Sequence, residues 1–152
     1  MAIHKSDAAK GKHNIAYPGF AGQAVTFRYA MAVPTTVQAD DILELAPIPP
    51  NCRVAEIVLD SNDLDSHGTP TLALDVGIMS GGWGEDGART VGAEFFAASE
   101  IGRTGGVARP TLATAYRTGT ADHTRSIGVK IGAAAATAAA GQIGLTVTVV
   151  AQ

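Results

Sequence analysis

Arg125-Ser126-Ile127-Gly128-Val129-Lys130-Ile131-Gly132-Ala133 and, after an alanine-rich link, Gly141-Gln142-Ile143-Gly144-Leu145-Thr146-Val147-Thr148-Val149-Val150-Ala151 decide the fold. Ile127, Val129 and Ile131 alternate with Gly128 and Lys130; Ile143, Leu145, Val147 and Val149 alternate with Gly144, Thr146 and Thr148. A period of two places each apolar set on one face of a strand, and β-branched residues suit a pleated surface. The two runs read as neighbouring antiparallel strands, because the link is too short for a crossover helix of ordinary length. The link, Ala133–Ala140, falls below the ~12 residues at which an isolated helix becomes marginal, so it reads as a compact hairpin loop rather than a helical turn.

Working outward, the same period recurs. Val25, Phe27, Tyr29, Met31 and Val33 share one face of a strand that Pro34 ends. Asp41 to Ile48 is a second strand, stopped by Pro47, Pro49 and Pro50. Arg53 to Asp60 follows with Ala55, Ile57 and Leu59 aligned, and after a polar loop Thr71 to Ile78 aligns Leu72, Leu74, Val76 and Ile78. Less regular sequence carries a glycine-rich loop around Trp83, an apolar run from Glu94 to Ile101, a loop from Gly102 to Pro110 and a weaker strand from Thr111 to Arg117. Short strands at this spacing, separated by turn signals, predict an all-β sandwich or barrel of about eight strands.

Composition is consistent with one domain. The chain has 152 residues, 46% of them hydrophobic and only 5% aromatic, with 18 glycines and 7 prolines, so turns are plentiful and the core is expected to use small side chains. Met1 to Asn14 is polar and lacks periodicity, which predicts an extended N-terminal arm over residues 1–22, dispensable for folding, ahead of a sandwich over residues 23–152.

Net charge is −3, against the basic patch expected of a nucleic-acid binder. The distribution is uneven: three Lys and one Asp in residues 1–12 give +2, whereas eight acids and one Arg from Asp40 to Asp75 give −7. A basic arm beside an acidic body predicts complementarity between molecules. The single Cys52 excludes an intrachain disulfide and reads as a buried thiol. No run approaches the ~20 apolar residues that span a bilayer and the N-terminus lacks an apolar signal core, so synthesis in the cytosol and no membrane partner are expected.

Motifs for chemistry fail on context. Gly82-Trp83-Gly84-Glu85-Asp86-Gly87 has dinucleotide-loop spacing but carries two acids and opens no amphipathic helix. Asp63, Asp65 and Gly68 imitate a calcium loop, but Leu74 stands where its bidentate Glu belongs, so a hydrogen-bonded Asx-type turn is the better reading. His4, His13, His67 and His123 form no ligand spacing, and no Ser lies in G-x-S-x-G. No catalytic, cofactor or metal residues are assigned. Trp83 is either an interface anchor or a plug folded back on the sandwich. With it, Lys5, Lys10, Lys12, Tyr17 and Phe20 are the candidate partner-binding residues.

Asp41-Ile42-Leu43-Glu44-Leu45, Val58-Leu59-Asp60-Ser61-Asn62-Asp63-Leu64-Asp65, Thr71-Leu72-Ala73-Leu74-Asp75-Val76-Gly77, Glu94-Phe95-Phe96-Ala97-Ala98-Ser99 and Gly141 to Val150 resemble the cement, or head-decoration, proteins of tailed bacteriophages. The resemblance spans most of Asp41 to Ala151. It implies a jelly-roll-like β-sandwich on the exterior of an icosahedral capsid, assembled in the host cytoplasm. Its partners would be the major capsid protein and copies of itself, as a homodimer or homotrimer, locking the shell against internal DNA pressure. Alternatives are another virion module, a head fibre, tail part or host-carbohydrate binder using Trp83, Tyr17 and Tyr116, and, weakest, a cupin-like metalloenzyme.

Overall fold

Alternating apolar residues become strands whose inward rows meet across a gap between two sheets. The computed structural model describes all 152 residues. Its strands are β1 (Ile3–Lys5), β2 (Ala24–Val33), β3 (Ile42–Ile48), β4 (Cys52–Ser61), β5 (Ala73–Ile78), β6 (Phe96–Ser99), β7 (Gly106–Ala108), β8 (Arg125–Ala133) and β9 (Gly141–Ala151). The first sheet runs β1-β3-β8-β5-β6 and the second β2-β9-β4-β7. Every pairing is antiparallel except β1 with β3. From β2 onward every connection other than β5 to β6 crosses between the sheets, which makes β2 to β9 an eight-stranded jelly roll with β1 added at one edge.

The two strands that announce the fold are not hydrogen-bonded to each other. β8 lies between β3 and β5, β9 lies between β2 and β4, and residues 134–140 step from one sheet to the other. Alternation shows that each strand has one buried face, but pairing in one sheet and facing across two would both bury it. The expected hairpin is therefore replaced by a link across the ~10 Å between sheets. That link is loop, without a helical turn.

Asp65 fixes the link in place. Its buried carboxylate accepts backbone N–H bonds from Thr71 (2.8 Å) and Leu72 (3.1 Å) before β5, and from Ala136 and Thr137 (both 2.9 Å) in the link. The Asx-type turn is also present, Asp65 N–H donating to Asp63 Oδ1. Burial alone would push the Asp65 carboxyl up. The four backbone donors outweigh it and hold that carboxyl far below the ordinary carboxylate range.

Other departures have local causes. β3 runs through Pro47; β1 covers only Ile42–Glu44, so beyond Leu45 that side of β3 has no strand neighbour to need the missing N–H. A bulge between Val54 and Glu56 shifts the phase of β4, so that Val54 and Ile57 both face inward and Ala55 does not. The weak strand at Thr111–Arg117 is a 3-10 turn, Ala113–Tyr116. Leu, Ile and Val dominate the 25-residue core cluster, which holds only three alanines, so the core is not built of small side chains. Alanine is spent instead on links and outer faces. Cys52 is buried, and burial pushes its thiol up.

The start of the chain is part of the body. Ile3–Lys5 pair with Ile42–Glu44, Ser6 N–H donates to the Glu44 carbonyl, and the Ser6 hydroxyl donates to the Leu45 carbonyl at 3.0 Å. Ser6, Ala8 and Ala9 are buried, and Ala8 joins the core cluster beside Tyr29. Deleting this segment would strip β3 of its edge partner and uncover core residues, so the truncated chain is expected to melt at a lower temperature.

Val147 is 2% exposed on the inward row of β9. Val147→Asp forfeits about 1.5–3 kcal/mol of apolar burial and adds an unpaired charge, so the variant should fail to fold, as read by far-UV circular dichroism of the soluble fraction. Asp65→Asn places an amide donor among backbone donors and should lower the melting temperature. Because Asp65 is depressed in the fold, its contribution is whole above about pH 4 and is lost as pH falls below that. Melting curves from pH 7 to about pH 2 should therefore be flatter for Asp65→Asn than for the wild type.

Candidate interaction surface

The outer face of the first sheet is where the glycine-rich loop goes. Glu44, Gly128 and Gly77 stand side by side on β3, β8 and β5. The two glycines let the chain after β5 lie directly on the sheet. A Cβ on Gly128 would come within 2.8 Å of Met79, and one on Gly77 within 2.2 Å of the Gly92 carbonyl oxygen. Met79 N–H donates to the Ser126 carbonyl and Gly92 N–H to that of Ile78, closing the loop.

Glu44, the only side chain in that row, is fully buried. Its Oε1 accepts from Arg89 Nη1 (2.7 Å), the Ser126 hydroxyl and the Gly84 N–H (2.9 Å). Arg89 also donates from Nε to the Ser80 carbonyl and from Nη2 to the Ser126 hydroxyl. An internal carboxylate thus occupies the loop amide that a phosphate would seek. Trp83 rides on this loop, half-buried at the rim of the core, with its backbone N–H donating to the Thr124 carbonyl.

Lys5 belongs to the same assembly. Its Nζ donates to the Gly84 carbonyl at 2.7 Å and pairs with Asp86 at 2.6 Å, tying β1 to the Trp83 loop and lowering the Asp86 carboxyl. Lys12 pairs with Asp7 at 3.0 Å, whereas Lys10 is exposed and makes no ion pair. Of the candidate residues, Lys5 and Trp83 come together at one loop. Tyr17 and Phe20 lie elsewhere, on an irregular strip beside β2.

That strip carries exposed apolar surface. Ile15, Tyr17 and Phe20 are exposed, Phe20 to 70%, and Ala16 N–H donates to the Tyr29 hydroxyl. Phe27 shares the inward face of β2 with Tyr29, their ring centres 4.9 Å apart, yet it is 48% exposed. It borders a groove of about 480 Å³ lined by Asp7, Ala8, His13, Tyr29 and Ala30. A second exposed set comprises Val107 in β7 and Leu112 and Tyr116 in the segment that follows it. Sequence reasoning missed Phe27 and Val107. Alternation assigns Phe27 to the core, but it borders this groove and stays exposed where Tyr29 and Val33 on the same face are buried.

Tyr17, Trp83 and Tyr116, the aromatics considered for carbohydrate, fall on different elements. The histidines are dispersed as well. His4 Nε2 is 3.5 Å from Asp41, His67 Nδ1 accepts from the Thr69 N–H, and His123 sits beside Asp122. No group of three or more His, Cys, Asp or Glu side chains is placed to hold a metal ion. No helix is long and apolar enough to cross a membrane.

No family model and no curated protein matches the chain. Solved structures do. A chain in the capsid of Ralstonia phage GP4 is similar over 99% of both chains, with 42% sequence identity and a TM-score of 0.95. A chain in the capsid asymmetric unit of cyanophage Pam1 shares the fold, with a TM-score of 0.66 at 23% identity over 93% of this chain and 96% of that one.

The Glu44–Arg89 pair yields a direct test. Arg89→Met leaves a buried carboxylate without its cation and should cost about 3–5 kcal/mol in urea unfolding. Adding Glu44→Gln in the same chain should recover much of that loss, because the buried charge is then removed.

Proposed function

Because the chain belongs to the phage capsid family represented by the Ralstonia phage GP4 structure, we propose that it serves as a cement protein on the outer surface of an icosahedral phage shell. It is a structural component of the virion. The observation that carries this reading is full-length similarity at 42% identity to a chain of an assembled capsid, on a jelly-roll frame. The internal chemistry supports a structural rather than catalytic role. Asp65 through both oxygens, and Glu44 through Oε1, accept from structural donors of the segments they hold.

In this reading the partners are the major capsid protein and further copies of the chain. The exposed Lys10, with Lys12 beside it, faces the shell, and the Trp83 loop, held in shape by Lys5, supplies a firm half-apolar contact. Tyr17 and Phe20 provide apolar area that a neighbour would cover. Residues 1–9 then belong to the body, and the largely exposed stretch 10–22 is the part of the expected arm that is left to reach a neighbour.

Mixing the purified protein with undecorated capsids should give saturable, stoichiometric binding and raise the temperature at which the shell opens. Lys10→Glu with Lys12→Glu should lower occupancy at a fixed concentration, and more at low salt, since rim charges act mainly on association. Assembly of closed shells from this chain alone would instead assign it the major capsid role.

A further inference from the structure

Asp86-Gly87 is the one place in the chain where a glycine follows an Asp or Asn. It lies in the loop whose dinucleotide-like spacing serves no nucleotide. That loop is fastened on both sides of the pair. Gly84 gives its N–H to Glu44 and its carbonyl accepts from Lys5, and Arg89 donates to Glu44, Ser80 and Ser126. Between these anchors the tip is unbonded. No backbone group of Asp86, Gly87 or Ala88 pairs with another backbone group, and residues 85–88 are all exposed. The Asp86 side chain is 98% exposed, and its Oδ1 accepts from Lys5 Nζ at 2.6 Å.

These are the conditions for an internal reaction of aspartate. A backbone N–H already engaged in a hydrogen bond is held away from the preceding carboxyl, and the Gly87 N–H is not so engaged. Gly87 has φ +103° and no Cβ to shield its nitrogen, and even an added Cβ would meet nothing within 4 Å. We propose that Asp86–Gly87 is a site of spontaneous backbone modification, at which the Gly87 nitrogen closes on the Asp86 side-chain carboxyl, and that Lys5 restrains it. The nitrogen bonds to Cγ, and the carboxyl hydroxyl leaves with the amide proton as water, giving a succinimide. Water then adds back at either ring carbonyl. Opening at Cγ restores Asp86. Opening at the original peptide carbonyl leaves the main chain running through Cγ, an isoaspartate. One water is lost and one regained, so the net change is an isomerisation that needs no oxidant.

Lys5 opposes the first step. Cyclisation consumes the neutral carboxyl, whose hydroxyl can leave. The Lys5 ammonium favours the carboxylate and holds the Asp86 carboxyl below its usual range, so less of the reactive form is present at neutral pH. Because Asp86 is exposed, salt weakens this restraint. Isoaspartate lengthens the main chain between the Gly84 and Arg89 anchors and places the carboxylate directly on Cα. The ion pair that ties β1 to the tip is then lost, and the Gly84 carbonyl is left as the tie between Lys5 and the loop. The inference concerns the folded chain by itself and does not depend on the cement reading.

Peptide mapping of the full chain, kept folded for weeks at neutral pH and physiological temperature, tests it, with electron-transfer fragmentation to tell isoaspartate from aspartate at each position. Isoaspartate should accumulate at Asp86, with a species lighter by one water beside it, and not at Asp122, whose side chain is equally exposed but precedes His123. Asp86→Glu, whose longer arm closes such a ring far more slowly, should suppress it. Lys5→Gln should raise the rate several-fold and Lys5→Arg should keep it near that of the wild type, with melting curves confirming that both variants fold. Salt reads the same restraint in the wild type itself: raising it should speed the wild type toward Lys5→Gln and leave that variant unchanged. Absence of isoaspartate at Asp86 in both the wild type and Lys5→Gln would overturn the proposal. Rates at Asp86 that answer neither to Lys5→Gln nor to salt would overturn the part given to Lys5. Capsid occupancy is read separately, so either failure leaves the cement role standing.

Discussion

The core that the inward rows of β8 and β9 share governs the architecture. Ile127, Val129 and Ile131 of one sheet and Ile143, Leu145, Val147 and Val149 of the other are all nearly inaccessible and belong to a single cluster. Each row sits on the strand second from one end of the jelly-roll part of its sheet, with partners on both sides. The two sheets are thereby held by strands that cannot fray at an edge. The other strands follow by adding to one of these two. β2 and β4 take the sides of β9, β3 and β5 take the sides of β8, and β6 and β7 finish the far edges.

Within that frame, the outer face of the first sheet solves a separate problem. A sheet whose outer face must be covered by irregular chain needs space for the chain and something to hold it. Gly77 and Gly128 supply the space by having no side chains, and Glu44 and Arg89 supply the hold. Removing the charged partners together is expected to be milder than removing one, so their chief contribution is to fix where the loop lies rather than how stable the fold is. The consequence is a rigid seat for Trp83 and for Lys5 beneath it.

Much of this was legible from alternation. The strands at Ala24–Val33, Ile42–Ile48, Cys52–Ser61, Ala73–Ile78, Arg125–Ala133 and Gly141–Ala151 show in the spacing of Val, Ile and Leu because each points one row of apolar side chains into the core. Sheet membership does not show, since Ile127 and Ile143 have the same pattern whether paired or opposed. The bulge at Val54–Glu56 is invisible for a related reason: an inserted residue looks like a lapse in alternation until the partner strand is known. β1 escaped notice because three residues carry no period, and its parallel pairing depends on Asp41 and Ser6 gripping nearby backbone. Glu44 was the least legible of all. A carboxylate in an apolar run reads as solvent-facing, and only a loop arriving from Arg89, 45 residues later, explains its burial.

The same placement changes how charge enters assembly. The sequence shows a basic start and an acidic middle, which by itself suggests attraction between molecules. In the folded chain, Lys5 is bound to Asp86, Lys12 to Asp7, Arg28 to Asp60, Arg103 to Glu100, Arg109 to Glu56 and Lys130 to Asp40. Pairs of this exposed kind contribute little stability, and they also leave little long-range field. Lys10, Arg53, Arg117 and Arg125 remain without an acidic partner. Under the proposed cement role, apolar contact then carries much of the hold on neighbours, while Lys10 and Lys12 act mainly on how fast they meet.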